Sequence, residues 1–125
     1  MGTTYKGNSP SYHSLVDNIN STIKAYKYEN GYFGIKGKSK QESNRQINCS
    51  DPIAEAEAFY NKIAYGGIET THDNDNRKQT KLKDGTIITF REITSTVGSP
   101  AVEINIKKST STGGVKKQKI HFEKE

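Results

Sequence analysis

Three segments in the C-terminal third alternate between apolar and polar residues, and their polar positions carry groups that could act on a phosphate. Residues 86–91 read Thr-Ile-Ile-Thr-Phe-Arg, residues 101–107 read Ala-Val-Glu-Ile-Asn-Ile-Lys, and residues 117–123 read Lys-Gln-Lys-Ile-His-Phe-Glu. Successive side chains of a β-strand point to opposite faces, so each segment predicts a strand with one apolar and one polar face. If Phe90 faces the core, Arg91 faces the opposite side.

The same alternation assigns residues of all three strands to one polar face. Its predicted members are Thr89, Arg91, Glu103, Asn105, Lys107, Lys117, Lys119 and His121. The opposite face is predicted to be the core, with Ile88, Phe90, Val102, Ile104, Ile106, Ile120 and Phe122. A face with a histidine, an arginine, several lysines, a carboxylate and an amide has the groups needed to cleave a phosphodiester.

RNA cleavage through the ribose 2′-hydroxyl sets the chemical requirements. A base must take the 2′ proton, an acid must protonate the departing 5′-oxygen, and cations must stabilise the phosphorane. His121 is the candidate for proton transfer because histidine has an ordinary pKa of about 6.5. Arg91 could hold the phosphate through two parallel hydrogen bonds, with Lys119 adding charge. The other candidate substrate contacts are Lys117, Lys107 and Asn105.

Alternation alone does not separate a catalytic face from a solvated one. An antiparallel sheet commonly exposes one polar face to water without any further role. The two other histidines are weaker candidates. His13 falls in the first turn of a predicted helix that could bring it to the sheet edge, and His72 falls in the most polar segment.

Two helical patterns precede these strands. After Ser9-Pro10, apolar side chains recur on one stripe at Leu15, Val16, Ile19, Ile23 and Tyr26. A second stripe, Ala56, Phe59, Tyr60 and Ile63, follows a capping Asp51 and Pro52 and ends at Gly66-Gly67. Residues 30–48 are rich in Gly and Lys and are interpreted as a flexible connection with a short extended piece at residues 32–35.

The remaining pattern is a hairpin. Asp84-Gly85 separates residues 81–83 from residues 86–91, and Asp-Gly tolerates the positive φ of a tight turn. Residues 69–77 are interpreted as a polar loop. Helices followed by an antiparallel meander predict an α+β fold, with N-terminal helices packed on about four antiparallel strands. The 125 residues suit one domain, a variable helical lead-in over residues 1–50 followed by helix and sheet over residues 51–125.

Composition narrows the partners. Lys and Arg outnumber Asp and Glu by 19 to 14, a net charge of +5 that suits a polyanion such as nucleic acid. The single Cys49 excludes an internal disulfide, and the three dispersed histidines suggest no metal site, so no cofactor is expected. No apolar run is long enough to span a bilayer, so stable membrane association is not expected.

The residues of the predicted face lie within a longer pattern. From Asp84-Gly85 the chain runs through a strand ending in Phe-Arg, a Ser/Thr cluster, Gly-Ser-Pro, a strand ending in Ile-Asn-Ile, and finally Lys-Ile-His-Phe. This order resembles the C-terminal toxin domains of bacterial polymorphic toxins, including effectors of contact-dependent growth inhibition. The resemblance covers residues 51–122, and residues 1–50 match by position only.

The resemblance implies the ribonuclease group that includes barnase, the EndoU nucleases, the tRNA-cleaving colicins and RelE. It implies a metal-independent ribonuclease, with tRNA as the expected substrate. Its site residues would be His121, Arg91, Thr94, Ser95 and Thr96. Thr stands for Ser at two of the three cluster positions, which keeps the hydroxyl, and Val97 stands where a polar residue would be unsurprising.

The resemblance also implies partners and a route to the target. A cognate, acidic immunity protein is expected to cover the basic face and to associate rapidly through electrostatic steering. The domain is expected to be monomeric and to travel as part of a larger secreted or cell-surface effector that acts in the cytoplasm of the target cell.

Two other functions stay open at this point. A non-catalytic RNA-binding module would use the same basic face, with Tyr26, Tyr28, Tyr32 or Phe33 stacking on bases. A DNA-cleaving toxin would need a divalent metal held by carboxylate or histidine ligands, which the dispersed histidines do not favour.

Overall fold

The computed structural model describes residues 13–72 (His72 by its backbone alone), 77–93, 99–107 and 113–125. Within these ranges the chain forms two helices and nine strands. They are α1 (Leu15–Ala25), β1 (Tyr28–Glu29), β2 (Tyr32–Phe33), β3 (Ile35–Lys36), β4 (Asn44–Cys49), α2 (Pro52–Ile63), β5 (Ile68–His72), β6 (Arg77–Lys81), β7 (Ile87–Arg91), β8 (Ala101–Asn105) and β9 (Gln118–Lys124).

Seven of the strands form one sheet in the order β3-β4-β9-β8-β7-β6-β5, and β1 and β2 form a separate hairpin. Neighbours in the large sheet are antiparallel except β4 and β9, which are parallel. Helix α2 packs on β7, β8 and β9, and α1 packs on α2. The predicted α+β fold is confirmed.

The sheet is larger than the roughly four strands predicted, because the described residues place seven in it. Polar segments supply the missing strands. Residues 69–77, interpreted as a loop, contain most of β5 and the start of β6, and residues 30–48 contain β2, β3 and most of β4. Helix α2 covers mainly the central strands. Peripheral strands therefore need few apolar residues and give little hydrophobic signal.

Strand β4 shows how a polar residue can occupy a core position. The side chain of Arg45 is buried, and its Nε donates to the Phe33 carbonyl at 3.0 Å and its Nη2 to the Gly34 carbonyl at 3.1 Å. A buried charged side chain is tolerated when its donors are hydrogen-bonded. Arg45 therefore ties β4 to the β1–β2 hairpin.

Helix α1 begins later than the Ser9-Pro10 signal suggested. Ser14 is its N-cap, and the Ser14 amide donates to the Asp17 carboxylate at 2.7 Å; Pro10 itself lies outside the described residues. Leu15 and Ile19 are buried as predicted, whereas Val16 is exposed. The predicted apolar stripe is wide enough to include the flank of the helix, and Val16 lies on that flank.

Helix α2 confirms its prediction. Asp51 accepts a hydrogen bond from the Ala54 amide at 3.3 Å, and Pro52 is the first helical residue. The predicted stripe of Ala56, Phe59, Tyr60 and Ile63 is buried. The buried Asn18 of α1 donates to the carbonyl oxygens of Ile63 and Tyr65, at 2.8 and 2.9 Å. These bonds fix α1 across the C-terminal end of α2.

The Asp84-Gly85 hairpin is also confirmed. Gly85 has a φ of 88°, and Asp84 accepts a hydrogen bond from the Thr86 amide at 2.9 Å. The other carboxylate oxygen of Asp84 accepts from the Leu15 amide at 3.2 Å, so the turn is fixed against the start of α1.

The core lies between the sheet and the helices. Of the seven strand residues predicted to face inward, six are buried, and Ile106, just after β8, is partly buried; the six are Ile88, Phe90, Val102, Ile104, Ile120 and Phe122. The Phe59 ring of α2 lies 5.1 Å from the Phe33 ring and 5.7 Å from the Phe122 ring, measured between centroids. The other side of the sheet, here called the outer face, carries no helix from the described part of the chain. Within that part no helix could span a membrane.

Candidate functional site

Strand register places one residue of each central strand in a continuous row on the outer face. Gln46 of β4 pairs with His121 of β9, which pairs with Ala101 of β8. Ala101 pairs with Arg91 of β7, and Arg91 pairs with Arg77 of β6. We call these five residues the His121 row. The predicted proton-transfer residue and the predicted phosphate ligand therefore lie at the same level of the sheet.

His121 and Arg91 are separated by one strand, or about 10 Å between Cα atoms. The residue between them, Ala101, carries only a methyl group. Ala101 is 2% exposed and the neighbouring Thr89 is 4% exposed, although both lie on the outer face. This part of the face is sheltered from water, and electrostatic interactions are stronger there than at an open surface.

The imidazole of His121 is half-buried and hydrogen-bonded. Its Nδ1 lies 3.3 Å from the Ser99 hydroxyl oxygen, and either atom can donate. Burial lowers the pKa of His121 below the ordinary histidine value, the charge of Lys119 lowers it further, and Glu123 opposes both. The ring is therefore neutral at pH 7. When Nδ1 donates to Ser99, Nε2 carries the lone pair that can accept a proton.

Two arginines on neighbouring strands make the other half of the row. Arg77 and Arg91 are directly opposite each other, and both are half-buried. Like charges directly opposite each other destabilise a strand pair. Guanidinium groups match the geometry of phosphate oxygens, so this pair of side chains could bind an anion. Arg77 was missed because the sequence interpretation put it in a loop.

A second row of paired residues lies on the same face, two residues along each strand from the His121 row. Register brings together Asn44, Lys119, Glu103, Thr89 and Gln79. A cavity of about 450 Å³ opens at the Lys119 end of this row, lined by Gln41, Ser43, Asn44, Glu103, Lys117, Gln118 and Lys119. Lys119 and Lys117 are thus beside the His121 row, as predicted for substrate contacts.

Asn105 and Lys107 lie at the other end of the sheet. Asn105 pairs with Ile87, four residues from Arg91 along β7. That is about 13 Å along the strand. Lys107 lies beside Gly85 of the hairpin turn. The structure therefore does not bring Asn105 and Lys107 together with His121 and Arg91, although Asn105 shares their face.

The predicted hydroxyl cluster, Thr94, Ser95 and Thr96, lies outside the described residues. The hydroxyl that the structure does place at the imidazole is that of Ser99, at the start of β8. Ser99 belongs to the Gly-Ser-Pro pattern of the sequence, but the pattern gave it no role. A hydroxyl directly before a predicted strand was the available signal.

Of the two other histidines, register places the backbone of His72 beside Arg77, at the end of the His121 row. His13 is on the helical side of the sheet, where its Nδ1 lies 2.8 Å from the Asn18 Oδ1 and its ring meets the edge of Tyr65. The His13 carbonyl accepts a hydrogen bond from the Lys83 amide at 2.8 Å, so His13 does lie at an end of the sheet, but at the β6–β7 turn and not at the His121 row. His72 is the last residue of β5, so the interpretation that it lies in a loop is wrong.

No group of three or more metal-ligating side chains is found within the residues that the structure describes.

Most of the aromatic residues considered for base stacking are packed against other side chains of the protein. Phe33 is fully buried, Tyr26 packs on Phe59, and Tyr28 packs on Phe33. Tyr32 lies between the cationic ends of Arg45 and Lys116, at 4.9 and 5.4 Å from its ring centroid.

No protein-family model, curated protein or solved structure matches the chain. The function is therefore inferred from the site itself. The His121 row and the neighbouring Ser99 together provide a histidine, a hydroxyl and two guanidinium groups in a sheltered part of the sheet. These groups can accept a proton and bind an anionic oxygen.

Proposed function

We propose that the chain is a metal-independent endoribonuclease and that the His121 row is its active site. The observation that carries the proposal is the alignment of a neutral, half-buried His121 with Arg91 and Arg77 across Ala101. Phosphodiester cleavage can use a histidine as proton acceptor and guanidinium groups as ligands of the phosphate.

In the proposed reaction, His121 takes the proton of the ribose 2′-hydroxyl. The 2′-oxygen attacks phosphorus, the bond to the 5′-oxygen breaks, and the departing oxygen takes a proton from water, while the protonated His121 later returns its proton to the solvent. The products are a 2′,3′-cyclic phosphate and a 5′-hydroxyl. Arg91 and Arg77 bind the non-bridging oxygens, whose charge grows in the transition state, and Lys119 adds positive charge beside them. Ser99 orients the imidazole through its 3.3 Å contact.

The biological setting follows the sequence resemblance. We propose a toxin domain that cleaves tRNA, is delivered within a larger effector, acts as a monomer in the target-cell cytoplasm and is neutralised by an acidic immunity protein. The net charge of +5 supports both an RNA substrate and an acidic partner.

Total RNA incubated with the purified protein in excess EDTA is expected to yield discrete tRNA fragments with 2′,3′-cyclic phosphate ends. The reason is that the proposed site needs no metal ion. End-specific sequencing of the fragments measures this directly. RNA that is bound but never cut by the folded protein would favour the RNA-binding module instead. Activity that is lost in EDTA and restored by Mg²⁺ would favour a metal-dependent nuclease.

The pH profile of kcat/KM is expected to show an acid limb with its midpoint below the ordinary histidine pKa. His121 must be neutral to accept a proton, and burial together with Lys119 lowers its pKa. Lys119→Gln is expected to raise the midpoint because it removes a charge that lowers the pKa. Glu123→Gln is expected to lower it further, since Glu123 opposes the shift.

Two readouts check this pair of variants. The first is the pH dependence of cleavage in EDTA, and the second is the NMR titration of the His121 ring. Because the two substitutions are predicted to move the midpoint in opposite directions, a general loss of stability cannot mimic the result. If the acid limb has the same midpoint in both variants as in the native protein, the assignment of that limb to His121 is contradicted.

A further inference from the structure

A cavity of about 480 Å³ opens between α1 and α2, on the helical side of the sheet. Its volume falls in the range of small-molecule sites. Side chains of both helices form its walls, together with His13 just before α1 and Tyr65 just after α2. The proposed cleavage chemistry uses none of these residues.

Tyr65 gives the cavity an aromatic wall. Its side chain is 58% exposed, which is unusual for a large aromatic residue. The ring is nevertheless held in place, because the His13 ring packs against it with 5.1 Å between centroids and an angle of 72° between planes. Gly66 makes room for that histidine, since a Cβ atom on Gly66 would lie 2.6 Å from the His13 Cγ. Tyr65 therefore offers an oriented, open aromatic face to a ligand.

The rest of the lining presents polar groups of both kinds. Asp17 supplies a carboxylate and Lys62 an ammonium group, so these two charges cancel, although the protein as a whole carries +5. The Asp17 Oδ2 accepts from the Ser14 amide at 2.7 Å, and its Oδ1 can accept from a ligand. Within the described part of the chain, the side chains of Asn61 and Lys62 have no hydrogen-bond or ion-pair partner. The cavity thus suits a neutral ligand with many donors and acceptors.

A pyranose sugar has the matching chemistry. Each of its hydroxyl groups both donates and accepts, and two adjacent hydroxyls match the two polar atoms of a planar carboxylate or amide. Asp17 and Asn61 supply one planar group each. The C–H groups on one side of a sugar ring carry partial positive charge and pack well on the negative face of an aromatic ring, which Tyr65 supplies.

Other ligand classes match this lining less well. A phosphate would gain one lysine and meet the carboxylate of Asp17. An extended peptide commonly binds by adding a strand to a sheet edge, but the described residues of the lining include none from a strand. Helical walls use their own amide and carbonyl groups internally. An amphipathic helix needs an apolar groove, whereas most of this lining is polar.

We propose that the cavity between α1 and α2 binds a neutral pyranose sugar, with the sugar ring stacked on Tyr65 and its hydroxyl groups bonded to Asp17, Asn61 and Lys62. The inference goes beyond the proposed ribonuclease function and does not depend on it, because no residue of the His121 row lines the cavity. Sugar and RNA would occupy opposite sides of the sheet.

NMR titration of the intact protein with the methyl glycosides of glucose, galactose, mannose and N-acetylglucosamine tests the site. At least one glycoside is expected to shift the amide signals of Asp17 and Asn61 and to leave that of Thr89, on the outer face, unchanged. Tyr65→Leu is expected to weaken binding at least about tenfold, or about 1.4 kcal/mol, because leucine has no aromatic face. Tyr65→Phe keeps that face and is expected to bind nearly as tightly as the native protein.

Asn61→Ala is expected to weaken binding about tenfold through the loss of its hydrogen bonds to the sugar. The matched control is Asn20→Ala, which removes an exposed amide of α1 outside the cavity and is expected to keep the affinity. The proposal is overturned if none of the four glycosides shifts the signals of the lining, or if Tyr65→Leu binds as tightly as the native protein. Tighter binding of glucuronic acid or glucosamine than of glucose would overturn the neutral class. Tighter binding of adenosine than of every glycoside would show a base-stacking site instead.

Discussion

His121→Asn is expected to lower RNA cleavage about 10²–10⁴-fold, the usual contribution of a positioned acid–base group. Asparagine keeps a polar contact with Ser99 but has no proton to exchange near neutral pH. Asparagine is also uncharged, so the substitution buries no new charge beside Lys119. The loss should appear in kcat, while the affinity for RNA, measured with the cleaved bond blocked by a 2′-methoxy group, should change little.

His13→Asn is the matched control, because it replaces another histidine on the opposite side of the sheet. It is expected to cleave RNA in proportion to the fraction of the protein that is folded. Circular dichroism at the assay temperature measures that fraction. If His121→Asn cuts RNA as fast as the native protein, His121 is not the proton-transfer group. If only His13→Asn loses activity, the site lies on the helical side.

Phe59→Ala is expected to destabilise the protein by about 3–5 kcal/mol, the usual cost of removing a buried phenylalanine ring. Phe59 is fully buried, and its ring is in contact with those of Tyr26, Phe33 and Phe122. It thus joins α2 to the hairpin, to β9 and to the end of α1. Domains of this size are typically stable by about 5–15 kcal/mol, so the loss is a large part of the total.

Urea denaturation followed by circular dichroism measures this loss. Ile53→Ala on the same helix is the control, because Ile53 is 44% exposed and its truncation is expected to cost well under half as much. The comparison separates burial from helix propensity, since both variants place alanine in α2. Equal losses for the two variants would contradict the central role of the Phe59 ring.

The elements predicted correctly are those whose signals are local. Helix α2 has a cap, a proline at its first position and an apolar stripe within a dozen residues. The Asp84-Gly85 turn likewise needs only its own φ and the short bonds around it. Asn30-Gly31, both with positive φ, closes the β1–β2 hairpin by the same rule. That dipeptide was the signal overlooked in the segment interpreted as flexible.

Strands β4, β5 and β6 were not predicted because their evidence is not local. Strand β4 is held by β9, and Gln46 pairs with a residue 75 positions later in the chain. Strand β5 lies at the sheet edge, where polar residues such as Glu69 and Thr70 are acceptable on both sides. Periodicity reports burial on one face, so it cannot detect strands that bury little.

The same limit explains why the candidate site was predicted only in part. Alternation correctly gave the face of His121, Arg91 and Asn105, because side-chain direction depends only on position within a strand. It could not give their level along the sheet, which is fixed by register between strands. Arg91 lies level with His121, and Asn105 does not. The toxin and ribonuclease assignments, drawn from residue order, stay predictions.

Strand β9 is the last strand along the chain, yet it lies inside the sheet between β4 and β8. Until it is synthesised, β3–β4 and β5–β8 are two separate pieces with no strand to join them. A nascent chain that has not reached Gln118 therefore lacks both a continuous sheet and His121. The proposed active site therefore cannot form until translation has passed the strand that carries His121.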